Sequence, residues 1–103
     1  MDTTPLTLGF VAKMVAKPGQ EDELGAFLAG ALPLAEAEPG TIVWYALRTD
    51  ASTYWIVDAF ANEDDRQVHA TGAIVAALGA EADRLLAEPP QIMPADVLAA
   101  KLG

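Results

Sequence analysis

From Leu6 to Ala16 the side chains alternate, and they are apolar on both sides of the chain. Leu6, Leu8, Phe10, Ala12, Met14 and Ala16 fall on one face of an extended segment. Val11 and Val15 fall on the other, with Thr7 and Lys13 between them. A period of two marks a strand. A strand that is apolar on both faces needs a sheet with cover on both sides. Any fold for this chain must therefore supply one layer of helices and a second cover of some kind.

The next segment supplies the first layer. Lys17-Pro18-Gly19-Gln20 turns the chain, with Pro-Gly as punctuation. From Glu21 the apolar period lengthens: Leu24, Phe27, Leu28, Ala31 and Leu34/Ala35 form one helical stripe. Glu21, Asp22 and Glu23 suit the positive end of the helix macrodipole. Pro33 predicts a kink or an end to the regular helix, because it lacks an N–H and its ring clashes with the preceding turn. Gly25 and Gly30 weaken the helix further. Glu38-Pro39-Gly40 closes it.

Two β-branched and aromatic runs follow, Thr41–Arg48 and Thr53–Phe60, joined by a turn at Thr49–Ser52. They read as a hairpin. Asn62 then stands as an N-cap before Glu63, Asp64 and Asp65. Thr71-Gly72 interrupts, and a second long helix is expected from Ala73 to about Ala87, with Ile74, Leu78, Ala82 and Leu85 as its stripe. Glu88-Pro89-Pro90-Gln91 stops it. Ile92–Leu102 is a strand candidate that can equally be read as helix after Pro94; if it is strand, its proline confines it to a sheet edge or a bulge.

The order is β-α-β-β-α-β. This is the ferredoxin-like arrangement of the α+β class: one antiparallel sheet with the helices on one face. The other face then needs a cover, and a second copy of the chain is the simplest one, so a homodimer is expected. The 103 residues suit a single domain, 1–103. A formal charge of −9 makes nucleic acid and anionic membrane surfaces poor partners. There is no cysteine, so disulfides, zinc ribbons and thiol catalysis are excluded within the chain. No apolar run is long enough for a membrane span, and residues 1–10 show no basic-then-apolar secretory pattern. A cytoplasmic location is the expectation.

The stretches VAKMVAKPGQEDEL, AEPGTIVWYALRTD, TYWIVDAFANEDDRQVHATG and LLAEPP, in that order, resemble the antibiotic biosynthesis monooxygenase domain family. The resemblance covers nearly the whole chain. It implies a dimeric α+β barrel, in which two ferredoxin-like sheets pack together. It also implies chemistry of the kind that several such proteins perform, cofactor-free oxygenation of phenols or quinols. Other members degrade haem, isomerise small metabolites or have no assigned activity. The haem-degrading pattern places an Asn on the first strand and a Trp on a helix; neither is present here.

His69, the one histidine, is the first candidate for chemistry. Helical spacing puts Asp65 one turn before it and Arg66 three residues before it. A neighbouring carboxylate would orient the ring, and a neutral imidazole suits the removal of a phenolic proton. The resemblance adds that a histidine commonly follows this acidic helix start. Asn62 and Arg66 are candidates to steady a developing oxyanion, against the plainer roles of helix cap and surface charge. Trp44, Tyr54, Asp58 and Phe60 are candidate substrate-binding residues, against the plainer reading of core and interface aromatics. Asp58 stands among apolar strand neighbours and needs a partner, for which Lys13, Arg48 and His69 are the candidates.

No GxGxxG or P-loop pattern is present, and one histidine without cysteine argues against a transition-metal site. The expected function is thus cofactor-independent oxygenation of a small aromatic phenol or quinol, with no cofactor and no metal. Two alternatives use the same pocket: a non-enzymatic binding or stress-associated dimer, and a cofactor-free isomerase.

Overall fold

The structure, a computed structural model, describes residues 5–102. The part of the secretory-signal reading that falls on residues 1–4 lies outside the described residues.

The first alternating segment forms β1 (Leu8–Val15), and the Pro-Gly turn follows it. Gly19 has φ of 88°, in the left-handed region where only glycine is free of strain. The first helix runs from Glu21 to Gly30 (α1) and stops. A short helix, α2 (Leu32–Glu36), resumes with Pro33 in its first turn, where the missing N–H costs nothing. Pro33 therefore divides the helical arm as expected. The hairpin is β2 (Val43–Arg48) and β3 (Thr53–Phe60). Then come α3 (Glu63–Ala70), α4 (Ala73–Leu85) and β4 (Gln91–Asp96). The second long helix ends two residues short of its expected end. The last strand is much shorter than the Ile92–Leu102 candidate, and Pro94 lies within it at the sheet edge.

The sheet is antiparallel throughout, in the order β2-β3-β1-β4. This is the ferredoxin-like order. Register places Ala12 opposite both Ile56 and Ile92, and Phe10 opposite both Asp58 and Pro94. The even-numbered residues of β1 and β3 thus share the helix-covered face. Met14, Leu24, Leu28, Phe60 and Leu85 are the largest fully buried side chains. Burial of each contributes about 1.5–3 kcal/mol. No helix among the described residues is long and apolar enough to cross a membrane.

The other face of the sheet is open. Tyr45, Leu47 and Met93 are 56%, 47% and 43% exposed there, although all three sit on strands. Trp55 and Val57 are only partly covered beside them.

Candidate active site

α3 is held at its start by Asn62, whose Oδ1 accepts the Asp65 N–H at 2.9 Å. That cap fixes the helix so that its last turn carries His69 inward, over the β1–β3 region of the sheet. The imidazole is buried, with the Phe60 ring centroid 5.3 Å from its own and that of Phe10 at 6.3 Å.

Both ring nitrogens meet carboxylates. Nε2 lies 2.9 Å from Asp58 Oδ2, and Nδ1 lies 2.7 Å from Glu38 Oε1. Each carboxylate is held in turn. Asp58 Oδ1 accepts the Phe10 backbone N–H at 3.0 Å, and Glu38 Oε1 accepts the Thr41 hydroxyl at 2.7 Å. Burial, the largest single influence, disfavours the charged ring; the hydrogen bonds and charges of Asp58 and Glu38 together outweigh it and hold the pKa above the ordinary 6.5. The last turn of a helix also favours positive charge. Each ring nitrogen thus faces a carboxylate oxygen, the arrangement in which a protonated ring donates both of its N–H groups.

The close approach of Glu38 depends on a glycine. A Cβ at position 72 would stand 2.7 Å from Glu38 Oε2 and 3.0 Å from the Val68 carbonyl oxygen. Gly72, between α3 and α4, thus leaves the space that the carboxylate occupies.

Beside the clamp lies a cavity of about 130 Å³. Phe10, Ile56, Ile74, Leu78 and Ile92 are the large apolar side chains of its wall. Asp58 and His69 are the ionisable side chains in its lining. An apolar cavity of ~150 Å³ accommodates benzene. One aromatic ring is therefore the size of guest that this volume holds.

The structure brings Asp58 and His69 together and separates the other candidates from them. Asp65 is not the partner of His69: its N–H and one carboxylate oxygen are engaged with Asn62. Asn62 is an exposed cap and does not line the cavity. Arg66 lies behind the wall, its guanidinium 5.4 Å from the Phe10 ring centroid and paired with Glu63 at 2.6 Å. Phe60 packs behind His69 rather than in the cavity lining. Tyr54 belongs to the main core and donates its hydroxyl to the Glu21 carbonyl at 2.8 Å. Trp44 packs against that same core and lines a separate crevice with Leu32 and Thr41. Lys13 and Arg48 do not pair with Asp58; each stacks over an aromatic ring, Trp55 and Tyr54 respectively.

Glu38 is the site residue that sequence reasoning missed. It stands in the Glu-Pro-Gly turn, where an acid reads as solvent-facing punctuation. Its signal was a buried-side histidine with two nitrogens to satisfy and only one assigned partner. Among the described residues no cluster of three or more His, Asp or Glu side chains has the arrangement to hold a metal ion.

Residues 7–79 match the family described as antibiotic biosynthesis monooxygenase. Among solved structures, the chain is similar to NE2512, a protein of unknown function from Nitrosomonas europaea, with 50% identity, 98% of each chain covered and a TM-score of 0.95. It shares its fold with PA3566 from Pseudomonas aeruginosa, at 18% identity over 95% of this chain and 100% of that one, with a TM-score of 0.77. The same holds for Rv0793 from Mycobacterium tuberculosis, at 16% identity over 91% and 97%, with a TM-score of 0.80. No curated protein is significantly similar to the chain in sequence.

Proposed function

The chain belongs to the antibiotic biosynthesis monooxygenase family, and from that premise we propose that it is a cofactor-independent monooxygenase acting on a single-ring phenol or quinol. The observation that carries this reading is the apolar cavity with the Asp58–His69 pair in its wall. A ring slides between Ile74, Leu78 and Ile92 and presents its hydroxyl to the pair. Asp58 takes the proton, because both nitrogens of His69 already carry hydrogen. The imidazolium holds the Asp58 carboxylate in place, and the dry wall excludes water.

The substrate supplies the electrons. A deprotonated quinol carbon bonds to dioxygen, the O–O bond breaks, and the ring C–H proton leaves. One oxygen atom stays on the ring and the other departs as water. One benzenediol and one dioxygen thus give one hydroxyquinone and one water. Asp58 returns its proton to the departing oxygen, so the site ends as it began.

Oxygen uptake above the uncatalysed background, at one dioxygen per quinol, is the expected result with single-ring quinols. A three-ring anthrone should give none. Ala70→Phe, which fills the cavity from its lining, should raise KM at least tenfold. If no single-ring quinol or phenol in such a panel consumes oxygen, the oxygenase reading is lost. Tight binding without uptake would then favour a small-molecule binder, which the saturation of both imidazole nitrogens also suits.

The functional unit in this proposal is a homodimer joined through the open sheet face. Tyr45, Leu47 and Met93 support it, since large apolar side chains in one patch are seldom left in water. Leu47→Glu is expected to shift the chain to monomer in sedimentation equilibrium. A wild-type chain that stays monomeric at micromolar concentration would contradict this arrangement.

A further inference from the structure

The proposed chemistry uses one carboxylate of the clamp and leaves the other unexplained. Glu38 does not line the cavity, so it does not touch a guest. Yet its side chain is only 13% exposed, against 6% for His69 and 1% for Asp58. Holding a second acid in so dry a place is costly unless its charge is needed.

The charge count shows what the second acid does. With Glu38 and Asp58 ionised and His69 protonated, the cluster carries one net negative charge. If Asp58 takes a proton, the cluster becomes neutral, and the imidazolium keeps Glu38 as its counter-ion. Without the Glu38 charge the same step would move the imidazolium's one counter-charge from Asp58, 2.9 Å from Nε2, out to the phenolate in the cavity. Asp58 would then hold its own charge more firmly to keep the ring paired, and would accept a proton less readily.

We propose that Glu38 is a positioning residue whose charge neutralises the His69 imidazolium from the far side and so frees Asp58 to accept the proton of a phenolic guest. The transfer is balanced: the phenolic O–H bond breaks, an O–H bond forms on Asp58, and the phenolate stays in the cavity. This rests on the oxygenase reading for its guest, and on the geometry of the clamp for everything else. Other charged groups near the ring are committed elsewhere. Arg66 on α3 is tied to Glu63, and Asp65 to the Asn62 cap. β1 presents Phe10 to the ring, and the α4 residues in the cavity wall are apolar.

The test uses 4-nitrophenol, whose anion absorbs visible light, at a pH where the free probe is mostly neutral. Wild type and Glu38→Asp should show the bound anion. Glu38→Gln, which keeps the shape and loses the charge, should show at least tenfold less of it at equal occupancy. Toluene, which has no proton to give, should bind all three alike. Equal anion in Glu38→Gln and wild type would overturn the proposal, as would a wild-type protein that binds the probe only as the neutral phenol or not at all. The unliganded protein provides a second measurement, the titration of the His69 ring nitrogens by NMR. Its midpoint should fall in Glu38→Gln and recover in Glu38→Asp; an unmoved midpoint would also overturn the assignment. Anion formation without oxygen uptake by any quinol would leave Glu38 in this role and remove only the oxygenase reading.

Discussion

Replacing His69 by leucine is expected to lower the stability of the domain by about 3–5 kcal/mol near neutral pH. The replacement packs acceptably against Phe10 and Phe60, so the loss is electrostatic. It leaves the carboxylates of Asp58 and Glu38 buried without the cation between them. In a domain of this size such a loss lowers Tm by something on the order of 20 °C. Lowering the pH should return part of it, because protonating either acid relieves the repulsion.

The wild-type protein carries the complementary signature. The folded pKa of His69 lies above its ordinary value of 6.5, so the fold binds the proton more tightly than the unfolded chain does. The stabilisation is therefore complete below about pH 6.5 and is lost as pH rises through the folded pKa. Urea unfolding between pH 6 and 9 should show wild type losing stability with rising pH, and His69→Leu should lack that loss. A variant within about 1 kcal/mol of wild type across this range would mean that the clamp is not an ion triad at all.

Much of the architecture could be read from local periodicity, because each element is amphipathic in its own way. Leu6–Ala16 alternates, Glu21–Ala35 repeats at helical spacing, and Pro33 and Gly72 mark breaks that the structure confirms. Asn62 was legible as a cap because capping is a contact between residues three apart. The site was less legible, because it is assembled by register. Asp58 was recognised as an acid in need of a partner, with His69 one candidate. Asp65, the nearer acid, was the more obvious companion at one helical turn, but the cap uses it. Trp44 and Tyr54 do face the helices, as Asp58 does, yet alternation says only which face a residue takes. Which part of that face lies under α3 depends on where the helix docks. Glu38 reaches His69 across 31 positions of sequence, through a turn whose composition says only that the chain reverses.

The sharpest consequence for activity concerns Asp58. Asp58→Asn is expected to lower kcat/KM for a single-ring quinol by ~10²–10⁴, the range that a positioned proton acceptor contributes. The substitution is mild in shape. Asparagine Oδ1 can still accept the Phe10 N–H, and its amide can turn toward the imidazole. His69 can answer by releasing its Nε2 proton and accepting from the amide, while Nδ1–H stays with Glu38. The ring then remains hydrogen-bonded on both sides but neutral, and no carboxylate faces the cavity. Toluene binding should be unchanged, which separates a lost base from a collapsed pocket. If the variant turned over quinol within threefold of wild type while binding toluene normally, the proton would have to leave by another route, and the assignment of Asp58 as its acceptor would be wrong.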